Sequence, residues 1–407
     1  MKIKQYYNNI LGENLGSFLK ANIMAFIGLN IGIIGVNWFI INVTGQNRIL
    51  GVYGAVSLIA SFCALLFFGS LADKYNKIKI LKFCLLIEAF IFIAAAGLNY
   101  LNFPVIFLIY GLAVLSMPVM MLYAAVSRAA LAQVAPAQKL IKGNSVFEIA
   151  IQCGAVLAAL ATGFIYHGFG FNVLMLTASF TLLLSYIMLD EDLAGTDLNS
   201  KSHAGKTYFE NLKEGLRYFR ENKVLLLFGL IVFFPGIVIA ASNTVIPGYV
   251  EQFLKQDSRV YGAGEMFFAS GALLSGFLTA WVSSFIKKEL LQFVLFVLSA
   301  AVLFSFSLNR FVAGFYIAIF LSGLFIASLR IILNAKFMEL TGKEFLGRTI
   351  VFLTAITTVF QAALVYFIGY YMDVFKVTDG YLILTIVILA GFAGVYILKP
   401  EQKKREP

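Results

Sequence analysis

Gly69-Ser-Leu-Ala-Asp-Lys-Tyr-Asn-Lys-Ile-Lys-Ile-Leu81 is a short charged turn wedged between two long apolar runs. A membrane helix needs about 20 mostly apolar residues, and the runs on either side are long enough. The backbone of a spanning segment must satisfy its own hydrogen bonds, so polar turns of this kind belong at the membrane surface. The stretch therefore reads as a hairpin loop between two membrane helices.

Working outward from it, composition gives the same answer. Of 407 residues 60% are hydrophobic and 13% charged, with a mean hydropathy of +0.88. A soluble domain has about 45–50% apolar and 25% charged residues, and no soluble core would hide this much apolar surface. Twelve spans are predicted, near 17–43, 49–72, 78–98, 103–127, 145–167, 170–189, 223–249, 260–285, 289–308, 311–333, 349–372 and 379–398. The fold class expected is an all-α membrane protein. Its parts are an N-terminal six-helix bundle over 1–189, a cytoplasmic linker over 190–222, and a C-terminal six-helix bundle with a basic tail over 223–407. Within the linker Phe209, Leu212, Leu216 and Phe219 recur at helical spacing, so Tyr208 to Glu221 is predicted to be an amphipathic helix lying on the membrane surface.

The net charge of +10 does not imply a nucleic-acid partner. With a cytoplasmic N-terminus, only Arg48, Lys255, Arg259, Arg310 and Lys376 of the 31 Lys and Arg fall outside. That is the positive-inside bias, and it places both termini in the cytoplasm of an inner or plasma membrane. Met1 to Gly16 is polar, so no cleavable signal peptide is expected. The tail from Lys399 to Arg405 reads as a topology anchor or an anionic-lipid contact. Cys63, Cys84 and Cys153 lie inside apolar runs and read as small buried hydrophobes. No nucleophile–base pair, nucleotide loop or histidine cluster occurs, and His167 and His203 stand far apart, so neither enzyme, metal site nor cofactor is expected.

The two halves repeat each other. Gly69-x-Leu71 recurs as Gly276-x-Leu278, Asn37 as Asn243, Arg128 as Arg330 and Gly143 as Gly347, at offsets between 202 and 207. Asp73 and Lys74, however, correspond to Ala280 and Trp281, so the second loop has the geometry without the charges.

These residues resemble the major facilitator superfamily of secondary transporters, whose signature loop is written G-x-L-x-D-R-x-G-R-K-x-x-L. Gly69, Leu71, Asp73 and Leu81 match it outright, and Lys74 and Lys77 keep positive charge. Asn76 stands in place of the second Gly, a mild change for a position needing left-handed backbone. The segment Glu210 to Lys223 resembles the same region in the branch of macrolide and siderophore exporters. The resemblance implies two bundles in parallel repeat and transport by alternating access. It also implies a gating loop of Gly69, Leu71, Asp73, Lys74 and Lys77. Proton-driven drug exporters of the family carry an Arg in the fourth span and a Gly-Pro pair in the fifth; Tyr110 to Val126 holds no base, and no Pro lies between Pro136 and Pro235.

Three acids are candidates for proton coupling. Glu88 falls midway along the third span, where a charged carboxylate would cost about 2.5–3.5 kcal/mol, so it must be neutral, paired or in water. Glu148 forms either a capping box with Ser145 or, if the fifth helix starts earlier, a face shared with Gln152. Glu265 is near the outer end of the eighth span. Arg330 and Arg128 either snorkel to the interface or meet Glu148 or an anionic substrate. Asn30, Asn37, Gln152, Asn243 and Gln361 are candidate cavity residues, although amides also join helices. Pro235-Gly236 and Pro247-Gly248 free backbone carbonyls and permit the seventh span to bend. The function expected is proton-driven export of a drug-like amphiphile or siderophore by a monomer, with the small molecule, protons and lipid as partners. The alternatives are a lipid-like or metabolite substrate moved in either direction, or a non-transporting receptor on the same fold.

Overall fold

The computed structural model describes residues 13–68, 75–134, 140–190, 208–342 and 345–403. Their elements are all helices, joined by short turns: α1 Glu13–Thr44, α2 Asn47–Phe68, α3 Lys77–Tyr100, α4 Val105–Val134, α5 Leu140–Met188, α6 Tyr208–Glu221, α7 Lys223–Val232, α8 Phe234–Gly248, α9 Ser258–Val282, α10 Lys288–Leu308, α11 Val312–Leu340, α12 Leu346–Val374 and α13 Asp379–Lys403. Eleven described helices are long and apolar enough to cross a membrane. Two expected spans share one of them. At 1.5 Å per residue, the 49 residues of α5 would reach more than twice the hydrocarbon thickness of about 30 Å. The helix therefore breaks, at Gly170, whose φ of 76° and ψ of −173° are open to glycine and strained for other residues.

The chain forms two compact units, the first of residues 1–39 and 60–205, the second of 40–59 and 206–407. In the first unit, glycines bring α1 close to its neighbours. A Cβ at Gly28 would fall 2.8 Å from Leu182 Cγ and 2.9 Å from the Ala178 carbonyl, and one at Gly154 would fall 2.9 Å from Phe26 Cβ. Lipid is as apolar as leucine, so close backbone packing and buried hydrogen bonds hold such helices together. Both occur here. Tyr123 donates to Asn22 Oδ1 at 3.0 Å, Asn22 Nδ2 donates to the Phe18 carbonyl at 2.9 Å, and Ser185 donates to the Ala21 carbonyl at 2.7 Å.

In the second unit α9 and α11 pack backbone to backbone, because Gly271 lies against the Phe320 carbonyl and Gly323 against the Phe268 carbonyl. The seventh span, Lys223–Phe253, is segmented where its prolines predict. It breaks at Phe233, just before Pro235, and passes into a π-turn at Tyr249–Phe253 after Pro247-Gly248. Two helices overrun their apolar stretches: α4 ends at Val134 and α11 at Leu340, each seven residues past the predicted limit. Charged and polar residues enter these extensions, Arg128 and Gln133 in one and Asn334, Lys336 and Glu339 in the other, and end the apolar run without ending the helix.

Helix α6 has the predicted limits, but its apolar face lies against protein. Phe219 is 1% exposed and packs on Phe352 of α12. Tyr218 stacks on Phe345 at 4.6 Å, Gly215 sits against the Arg348 carbonyl, and Arg348 Nε pairs with Glu214 at 2.9 Å. Leu216 remains exposed. Cys63, expected to be buried, is exposed on α2, whereas Cys84 is buried; on a spanning helix an exposed apolar face is a lipid face.

Candidate functional site

Of the gating-loop residues, Gly69, Leu71, Asp73 and Lys74 lie outside the described residues. Lys77 opens α3, and the residue before it has a role different from the one expected. Asn76 has φ −58° and ψ 119°, so it makes no use of left-handed backbone. Its Oδ1 instead accepts from the amides of Ile78 at 2.9 Å and Lys79 at 3.3 Å, which makes it the N-cap of α3.

In the first unit Glu88 is 1% exposed, held between α3 and α4. The Ser116 hydroxyl donates to its Oε1, and its Oε2 is shielded from solvent with no hydrogen-bond partner. An ionised carboxylate in that position would lack most of the hydrogen bonds that offset desolvation. Glu148 is brought to Arg128, whose Nη1 donates to Glu148 Oε1. The pair is partly exposed, at 56% and 39%, and exposed pairs contribute little to stability. The capping box is not formed, since α5 begins at Leu140 and Ser145 is already inside it. Glu148 and Gln152 thus lie one turn apart, both half-buried.

The amides of α1 divide. Asn30 Nδ2 donates to the Phe26 carbonyl of its own helix at 2.7 Å, so that donor is used internally. Asn37 is 5% exposed. Sequence reasoning missed Asn22, which is fully buried and accepts from the Tyr123 hydroxyl.

In the second unit Asn243 is exposed, although its neighbours Ala241, Ser242 and Thr244 are all buried; it is the polar side chain that α8 presents to open space. Gln361 is half-buried and Arg330 exposed. Glu265 is half-buried, with Oε1 shielded and unpartnered. The Tyr381 hydroxyl, in a residue 1% exposed, is also without a hydrogen-bond partner. Its ring stacks on Phe306 at 4.0 Å and meets Tyr249 edge-on at 5.1 Å.

One cluster in this unit had no sequence signal. The Asp373 carboxylate, at the end of α12, receives three hydrogen bonds from the start of α2. The Asn47 amide donates to Oδ1 at 2.7 Å, Asn47 Nδ2 to Oδ1 at 2.9 Å, and the Arg48 amide to Oδ2 at 2.9 Å. Asn47 Nδ2 also donates to Gln252 Oε1 at 2.8 Å, and Gln252 Nε2 donates to the Gly45 carbonyl at 3.1 Å. Gly45 turns the chain here with φ 62°. Glycines allow the approach: a Cβ at Gly51 would fall 2.9 Å from the Val365 carbonyl, and one at Gly369 2.6 Å from the Asn47 carbonyl.

Comparison with known proteins adds a family and a fold. Residues 21–349 match the family described as Major Facilitator Superfamily. No curated protein matches the sequence. The structure is similar to a mutant of the nucleoside transporter NupG, at TM-score 0.74 and 11% identity over 95% of this chain and 100% of that one. It is similar also to a bacterial homologue of the iron transporter ferroportin in its inward-facing state, at TM-score 0.66 and 13% identity over 93% and 98%. A bacterial homologue of the human lysosomal transporter Spinster gives TM-score 0.64 and 14% identity over 95% and 94%. At these identities the likeness is one of fold.

Proposed function

The chain belongs to the Major Facilitator Superfamily of transporters, and from that premise we propose that it exports a small organic molecule, a drug-like amphiphile or a siderophore, in exchange for protons. The observation that carries the reading is the pair of intramembrane carboxyls, Glu88 and Glu265, each with one oxygen shielded and without a hydrogen-bond partner. Acids inside spans are costly and mark ion or proton pathways by default. The resemblance of Glu210 to Lys223 to the exporter branch supports the direction and the substrate class. On this reading the protein is a monomer of the inner or plasma membrane with both termini cytoplasmic. Asp73 and its neighbouring lysines gate the cytoplasmic side.

The test uses purified protein in liposomes with a pH-sensitive dye trapped inside, challenged with a macrolide or an iron-free siderophore. Substrate-dependent proton flux is expected, and it is lost in Glu88→Gln, Glu265→Gln or Glu148→Gln, whichever acid carries the proton. Flux unchanged in all three would remove these acids from the coupling path, and no flux with either probe would remove the export reading.

A second reading, transport of a lipid-like substrate, has its own observation. A cavity of about 590 Å³ opens among α2, α3 and α4, lined by Ala64, Ile80, Phe83, Cys84, Val119 and Leu122, with Tyr75 and Lys79 also on its wall. The lining is almost wholly apolar, which suits an alkyl chain. Uptake of a short-chain fluorescent phospholipid that exceeds macrolide-driven flux would favour it.

A further inference from the structure

Every helix begins with amides that have no partner within the helix, and a side chain at the N-cap position ordinarily takes up one or two of them. Helix α2 has no such local provision. Its N-cap position is Gln46, which is not a good capping residue, and no acid occurs in its first turn. The two leading amides, those of Asn47 and Arg48, go instead to the two oxygens of Asp373. Arg48 is the nearest base, but its guanidinium Nε donates to Gln46 Oε1 at 2.9 Å. Asn47 is 1% exposed, whereas Arg48 and Asp373 are exposed, so the carboxylate reaches from the solvent edge to an amide that is itself shielded and costly to leave unpaired.

We propose that Asp373 is the detachable N-cap of α2, so that this end of the molecule is latched by a carboxylate on backbone amides and not by an ion pair. In the latched state the segment 40–59 belongs to the second compact unit, although α1 and α2 continue out of that segment into the first. Release of the cap frees the segment and leaves the two amides to water. The glycines at 51, 248 and 369 are part of the device, since a Cβ at any of them would meet backbone or the Asn47 side chain and lift α2 from its seat. Gln252, bridging Asn47 Nδ2 and the Gly45 carbonyl, holds the loop in the register the cap needs.

The test uses the full chain in lipid nanodiscs. Amide hydrogen exchange is resolved at Asn47 and Arg48, and a spin-label pair at Val43 and Lys376 reports the distance across the latch. Asp373→Ala should raise exchange at the two amides about tenfold or more and broaden the distance distribution, while amides in the middle of α12 keep their rates. Arg48→Ala should leave both readouts unchanged. Gln46→Asp added to Asp373→Ala supplies a local cap, which should restore slow exchange without narrowing the distances. Arg48→Ala as damaging as Asp373→Ala would show an ion pair and overturn the proposal. So would exchange at Asn47 and Arg48 unaffected by Asp373→Ala, or a latch distance that the local cap restores. Loss of protection throughout α12 in Asp373→Ala, with Asp373→Asn leaving exchange at both amides unchanged, would likewise overturn it.

Discussion

Asn76 shows how one side chain can be read for the wrong property. Its place in the loop suggests tolerance of left-handed backbone, yet its φ of −58° is ordinary and its oxygen caps α3. Asn76→Ala should lower stability by about 1 kcal/mol and speed exchange at the Ile78 and Lys79 amides, whereas Asn76→Asp should do neither. Glu88 supports a second prediction. Ser116→Ala removes the hydroxyl that donates to it and should cost about 1–3 kcal/mol by leaving a buried carboxyl unserved. In a Glu88→Leu background the same change should cost much less, a difference that thermal unfolding of the four proteins in a double-mutant cycle reads directly. The sequence showed Glu88 plainly, because a lone acid in an apolar run is conspicuous. It showed nothing of Ser116, since a serine in a membrane helix is common and its facing partner lies 28 positions away.

At the level of elements, pattern and packing part company. The limits of α6 were legible because its apolar and charged residues alternate at helical period. Its seat on α12 was not, because an apolar stripe says only that something covers it. Close helix contacts are similarly invisible until glycines are placed. Gly323→Ala should cost about 1–3 kcal/mol, as the added methyl would strike the Phe268 carbonyl and push α9 from α11. Gly276→Ala, on the same α9 with open space around it, should be neutral or stabilise by up to about 1 kcal/mol. Thermal unfolding in detergent compares the two, and equal losses would mean that helix propensity and not packing decides. The break at Gly170 was legible only as a gap between two apolar runs, with nothing in the sequence to say that the helix would resume at once.

For the molecule as a whole, the charge distribution makes a topological prediction that stands apart from packing. In a background lacking Cys63, Cys84 and Cys153, a cysteine at Lys206 should resist impermeant reagents in intact cells, and one at Lys255 should react. The reverse pattern would invert the orientation. Helix number and apolar limits follow from hydropathy, which acts on each span separately. The Asp373 cluster could not be foreseen, because its partners are 326 positions apart and neither end carries a local motif. That separation has a consequence in time. A ribosome adding about 5–20 residues per second takes roughly 15–65 s to travel from Asn47 to Asp373. Until then the first amides of α2 lack the Asp373 carboxylate, and a chain truncated before the end of α12 never acquires this cap.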